Sequence, residues 1–310
     1  MKPMGSQALQ FICLKEEQNS GQEEMYGKTY TQAELKEMED ISTRYKRCLD
    51  EGKTERECVE VAERLAEEAG YRSLCAYKAA GETLKEGDKV YASFMGKMIL
   101  LFQIGKEPLE NGMNILGAHI DSPRIDIKQN PLYETDEMAY LDTHYYGGIK
   151  KYQWLATPLS LHGVIVKKDG TKVRVNIGEN ENDPVFVITD LLVHLAGKQM
   201  SQKASEVVEG DNLDLLIGSR PLTEAEGLDK EEKEAVKAGV LRLLAETYGI
   251  GEEDFTSAEL EIVPAGKARD CGIDRSMLYP MDRMTECVRL LLYLQCSIIR
   301  RSAVLHAASS

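Results

Sequence analysis

His119 and Asp121 stand two residues apart at the end of an apolar run, Ile115-Leu116-Gly117-Ala118-His119-Ile120-Asp121-Ser122-Pro123. Imidazole is the commonest protein ligand for zinc, and a nearby carboxylate is the usual group that accepts its second N–H and fixes its tautomer. Apolar residues that give way to His-x-Asp describe a buried strand, Met113–His119, whose end delivers the imidazole into a crevice. A lone His-x-Asp also occurs by chance in chains that bind no metal, so the surrounding residues must decide. His144 and His162 stand beside glycines and strand-like segments and read as structural. His194 falls near the end of an expected helix, Val185–Lys198, where an imidazole interacts with the last carbonyls. Lys267, Arg269 and Asp270 read as an ion-paired turn. Neither a nucleophile elbow nor a plausible Cys–His dyad appears, which leaves a serine or cysteine hydrolase a distant reading.

Two helices lead toward that histidine. Thr31 followed by Glu34, and Thr54 followed by Glu57, have the spacing of capping boxes, and Gly70 is a natural stop for the second helix, Thr54–Ala69. Cys58, Val59, Val61, Ala62 and Leu65 recur along it at helical spacing. Lys89–Phe94 and Met98–Ile104 flank Gly96 as a hairpin would. After Pro123 the character changes. Leu161–Val166 and Thr171–Ile177 are rich in β-branched residues and joined through Asp169-Gly170, a strong hairpin signal. An amphipathic helix is expected over Ala235–Tyr248, and Glu259–Val263 alternates like a half-exposed strand. The fold class expected is α/β: residues 1–123 begin an α/β domain, 124–255 form a β-rich insert, and 256–310 return to the first domain.

With 38 basic and 52 acidic residues among 310, the net charge of −14 argues against nucleic acid or an anionic membrane as partner. Seven cysteines without C-x-x-C spacing point to reduced thiols in the cytoplasm and against a cysteine zinc site. The first residues lack the apolar core of a signal peptide, and residues up to about Thr29 read as a loosely packed start. Nowhere is an apolar run long enough to span a bilayer.

Four segments together resemble the M18 family of metallo-aminopeptidases, the aspartyl aminopeptidase group, in its bacterial form. They are His119-Ile120-Asp121-Ser122-Pro123, Asp142–Trp154 with its Tyr146-Gly147-Gly148, Pro158–Val166, and Val263–Asp270, in the family's order. The resemblance runs from about Thr31 to Leu278. It implies a zinc-peptidase-like catalytic domain interrupted by an oligomerisation domain, peptide substrates, a homo-oligomer, and two divalent metals, zinc by expectation. It makes His119 a metal ligand and Asp121 the residue that orients it. It matches His194 to a histidine that reaches the site of a neighbouring subunit, a reading that stands level with the helix-end one. The implied reaction is release of N-terminal residues by a metal-activated water, and the specificity is not fixed by these residues.

The family's later motifs are not recognisable. A Tyr-Gly-Gln-Asp-Asp-Arg segment with the bridging aspartate, then a Glu-Glu pair, belong after the counterpart of Asp274–Met277. Here the chain continues Tyr279-Pro280-Met281-Asp282-Arg283-Met284-Thr285-Glu286. If Pro280 to Glu286 is encoded CCU AUG GAC AGG AUG ACA GAA, reading from the third base spells Tyr-Gly-Gln-Asp-Asp-Arg. The expectation is therefore a frameshift near Pro280, leaving 280–310 out of frame; the other reading is a divergent natural end. The functional alternative to an active peptidase is an inactive product that keeps one ligand, His119, and the association domain.

Overall fold

The computed structural model describes residues 30–113, 115, 117–223 and 233–280. The loose start and the segment after Pro280, with its frameshift reading, lie outside the described residues. The chain divides into two compact units: one takes the residues up to Ile120 and returns at Ala268, the other spans Asp121–Lys267.

In the first unit, helix α1 (Gln32–Glu51) starts at Thr31 and helix α2 (Glu55–Glu68) at Thr54. Both expected capping boxes form. The Thr31 and Thr54 amides donate to Glu34 and Glu57 at 2.8 and 3.1 Å, and the threonine hydroxyls accept from the N3 amides. Gly70, at φ +85°, ends α2: its amide donates to Glu67 O and that of Tyr71 to Ala66 O, both at 2.9 Å. These are the two bonds of a Schellman stop. A short helix, α3 (Leu74–Ala79), follows strand β1 (Arg72–Ser73). Strands β2 (Lys89–Phe94) and β3 (Met98–Gln103) pair antiparallel, and β1 pairs parallel with β2. Met95 and Gly96 turn the hairpin at φ 53° and 66°, and Arg56 donates to Met95 O at 2.9 Å. Tyr91 donates to Glu67 at 2.6 Å, which ties β2 to α2 and pushes the phenol up to about 12.

One expectation fails here. The described residues of Met113–His119 form no strand. Among the described residues the sheet ends at β3, and the run pairs with no strand; Met113 and Ile115 are exposed. Apolar composition makes a strand possible, but only a partner's backbone makes one. The returning segment forms a two-stranded ribbon, β10 (Arg269–Cys271) and β11 (Met277–Tyr279). It docks on α1, where Ala268 and Leu278 pack against Tyr45 and Leu49.

The second unit is a six-stranded sheet in the order β7-β6-β9-β4-β5-β8. Its strands are β4 (Arg124–Thr135), β5 (Met138–Tyr146), β6 (Leu159–Val166), β7 (Lys172–Ile177), β8 (Leu215–Gly218) and β9 (Ala258–Pro264). The named pairs are all antiparallel. Asp169-Gly170 turns β6 into β7 as expected, with Gly170 at φ +84°. Ile125, Leu141, Leu159, Ile165, Leu215 and Ile262 form the core with Val236 of helix α5 (Ala235–Tyr248), whose bounds are those expected. Because β9 hydrogen-bonds to both β6 and β4, the unit runs on to Lys267, past the boundary expected at residue 255.

The helix expected over Val185–Lys198 is also corrected. Phe186, Val187 and Ile188 are extended and bridge to Leu159, Leu216 and Leu155, and helix occurs only as α4 (Gly197–Met200). The run Val-Phe-Val-Ile suits a pleated surface, and the open edges of two strands outcompete local helix formation. Among the described residues no helix is long and apolar enough to cross a membrane.

Candidate functional site

His119 is exposed in the last residues of the first unit before its boundary, and Asp121 opens the second. Asp121 is placed by the sheet that follows it. Tyr146, at the end of β5, donates its hydroxyl to Asp121 Oδ2 at 3.0 Å. Next to it Gly147 adopts φ +75°, a conformation open to glycine at little cost, and a Cβ added there would stand 3.5 Å from Pro123. Two segments 25 residues apart in sequence, Asp121-Ser122-Pro123 and Tyr146-Gly147, thereby pack on each other.

Arg124 stands opposite Tyr146 in the β4–β5 register. Its Nε lies 2.7 Å from Asp126 Oδ1 and 3.2 Å from Glu261 Oε2, and its guanidinium carbon lies 4.3 Å from the centre of the Tyr146 ring. Arg124 and Glu261 are buried, at 7% and 2% exposure, so this charge pair is shielded from solvent. A planar guanidinium can serve a carboxylate with its edge and an aromatic ring with its face, which an ammonium cannot. Sequence pattern alone does not disclose Arg124, Tyr146 or Glu261 as a group. The only signal is their place inside or beside the segments that flank His119.

The remaining candidates lie apart. His162, on β6, is buried with Nε2 3.1 Å from both Ser160 Oγ and Glu179 Oε1, and Ser160 donates to the same Glu179 oxygen at 2.6 Å. One ring nitrogen serves both neighbours in a closed interior, which suits a structural role. His144 stacks on Tyr145, ring centres 5.6 Å apart. Asp270 pairs with Lys46 at 2.5 Å, which holds its carboxyl below the usual range. His194 is exposed in a turn between the β-bridged segment and α4, not at a helix end. Asp190 organises that turn, accepting from the Leu191 amide at 2.8 Å and Gln199 Nε2 at 3.0 Å.

A catalytic zinc takes about three protein ligands and a structural one about four. Among the described residues, no group of three or more His, Cys, Asp and Glu comes together to hold a metal. His119 is a donor of the right kind, but the described residues by themselves do not fit the ion.

Residues 48–287 match the family model described as aminopeptidase I zinc metalloprotease (M18). The probable M18 family aminopeptidase 1 of Clostridium acetobutylicum is 59% identical over 249 residues, covering 80% of this chain and 52% of that protein. The crystal structure of aminopeptidase I from the same organism superposes with a TM-score of 0.76 at 50% identity, over 87% of this chain and 58% of that one. That of the M18 aminopeptidase from Thermotoga maritima gives 0.73 at 43%, over 81% and 52%. The chain spans about half the length of the curated relatives it matches.

Proposed function

The chain belongs to the M18 family of zinc metalloproteases, and on that premise we propose that it acts as a metal-dependent aminopeptidase, releasing N-terminal residues from peptides. His119 would contribute one imidazole to the metal, zinc being the family's ion, and Asp121 would orient that imidazole. The observation that carries the reading is the hydrogen bond from Tyr146 to Asp121, by which the Asp142–Trp154 segment reaches the carboxylate the reading needs. The comparisons do not favour the inactive alternative.

The test is hydrolysis of aminoacyl p-nitroanilides by the purified chain, before and after chelation and after return of zinc, manganese or cobalt. Chelation abolishes hydrolysis and metal restores it. His119→Ala lowers kcat/KM by on the order of 100-fold or more, and Asp121→Asn by about 10- to 100-fold. Hydrolysis that survives chelation or His119→Ala, or that no metal elicits, overturns the proposal.

The Asp121–Lys267 unit carries subunit association, and His194 serves a neighbouring subunit's site. This is supported by the turn around His194, where Leu191, Leu192, Val193, Leu195 and Met200 are 55–72% exposed. Adjoining exposed side chains of that size mark interaction surfaces more often than free solvent faces. Val193→Lys and Leu195→Lys lower the molar mass read by light scattering; an unchanged mass removes this surface from the interface. A cytoplasmic location is supported by seven cysteines without C-x-x-C spacing, which suit a reducing compartment.

A further inference from the structure

A carboxylate that orients an imidazole must itself be oriented. Asp121 follows an exposed stretch of chain, and rotation about its Cα–Cβ and Cβ–Cγ bonds would scatter its oxygens over several ångströms. The sheet of the second unit supplies what prevents this. Tyr146 Oη holds Asp121 Oδ2 at 3.0 Å, which settles the rotation of the carboxylate plane. A phenol can do so only if its ring is fixed, and Tyr146 is 41% exposed at a strand end. Arg124 fixes it, with the guanidinium 4.3 Å from the ring centre. Arg124 is fixed in turn by two carboxylates, Asp126 on its own strand and Glu261 on β9, in the interior of the sheet.

We infer that Tyr146 is the positioning residue for Asp121, and that Arg124, hydrogen-bonded to Asp126 and charge-paired with Glu261, locks the Tyr146 ring for that purpose. The inference rests on the reading that Asp121 orients His119, and it adds the two residues through which the sheet reaches that carboxylate.

The readout is the tautomer of His119 in the full chain labelled with 15N-histidine, followed by long-range 1H–15N correlation and assigned by the signal lost in His119→Gln. In the wild type one tautomer dominates. Asp121→Asn moves the ratio toward an even mixture, and Tyr146→Phe, which removes a single oxygen, moves it the same way. Tyr145→Phe, the neighbouring control, leaves it unchanged. Arg124→Lys keeps the charge but loses the planar stacking, and it gives a shift between wild type and Tyr146→Phe; it carries the test if Tyr146→Phe fails to give the wild-type circular dichroism. A shift in Asp121→Asn with none in Tyr146→Phe or Arg124→Lys overturns the inference while the Asp121 reading stands. Shifts in neither Asp121→Asn nor Tyr146→Phe overturn both, and a shift in Tyr145→Phe as well shows general loosening and overturns the inference.

Discussion

Gly163 is where a single atom matters most. It lies in the middle of β6 at φ +147°, and a Cβ there would meet Glu259 O of β9 at 1.9 Å. That approach cannot relax by a rotamer change, because both atoms belong to backbones in register. Gly163→Ala must therefore part β6 from β9, and the expected loss is about 3 kcal/mol or more, read as a lowered urea midpoint. Asp270 tests a charge instead. The hydrogen bond from Lys46 holds its carboxyl below the ordinary value, with the same ammonium's charge adding to the effect. A depressed carboxyl contributes stability that is present above its unfolded value, about 3.9, and is lost as pH falls through the lower folded value. Asp270→Asn is thus expected to lower the urea midpoint at neutral pH, and the gap to wild type should close in strongly acidic solution. A gap independent of pH would show that Asp270 acts through packing alone. At this scale His119 and Asp121 stand out as candidates in the sequence, because that expectation is carried by type and spacing. Tyr146 and Arg124 are not, because their value lies in a contact across two strands.

Helix α5 shows how an element is fixed from outside itself. Glu134, near the end of β4, accepts the Val236 and Lys237 amides at 2.9 Å each, so a strand carboxylate caps the helix start. A negative group there also suits the helix dipole. Glu134→Ala leaves both amides without that acceptor and is expected to cost about 1–2 kcal/mol; Glu134→Gln, which keeps an oxygen, costs less. Equal urea midpoints for the two variants would place the whole effect in charge. Capping boxes at Thr31 and Thr54 are legible because three residues suffice to make them. The segment 185–198 is not, since its periodicity fits a helix while its β-branched residues find Leu159 and Leu216 to pair with. Strands β4 and β5 are obscured for another reason. Pro131 stands inside β4, where the register shifts between Ile127 and Leu132, and a bulge there breaks the alternation that would reveal the strand.

For the molecule as a whole, the order of elements is legible and the division into units only in part. Strand β9 comes late in the chain yet completes the sheet begun at Arg124, so a change in composition near residue 255 does not mark where the unit closes. The first unit is sewn together from both sides of the second, through Lys46–Asp270 and through the Ala268 amide, which donates to Asp50 at 2.7 Å. Beyond that returning segment, the identity of the residues turns on the reading frame. Codon freedom at Pro280, Arg283 and Thr285 helps the Tyr-Gly-Gln-Asp-Asp-Arg match in the shifted frame, but Met281 and Met284 each admit one codon and Asp282 only two. Sequencing the gene through codon 280 is expected to show that the frame beginning at the third base of that codon stays open past Ser310 and encodes the family's later motifs, including the Glu-Glu pair. Restoring that frame should raise chelator-sensitive peptidase activity in the same assay. A stop codon soon after in the shifted frame, or the same tail read in frame in close relatives, would overturn the frameshift and leave Pro280 onward as a genuine divergence.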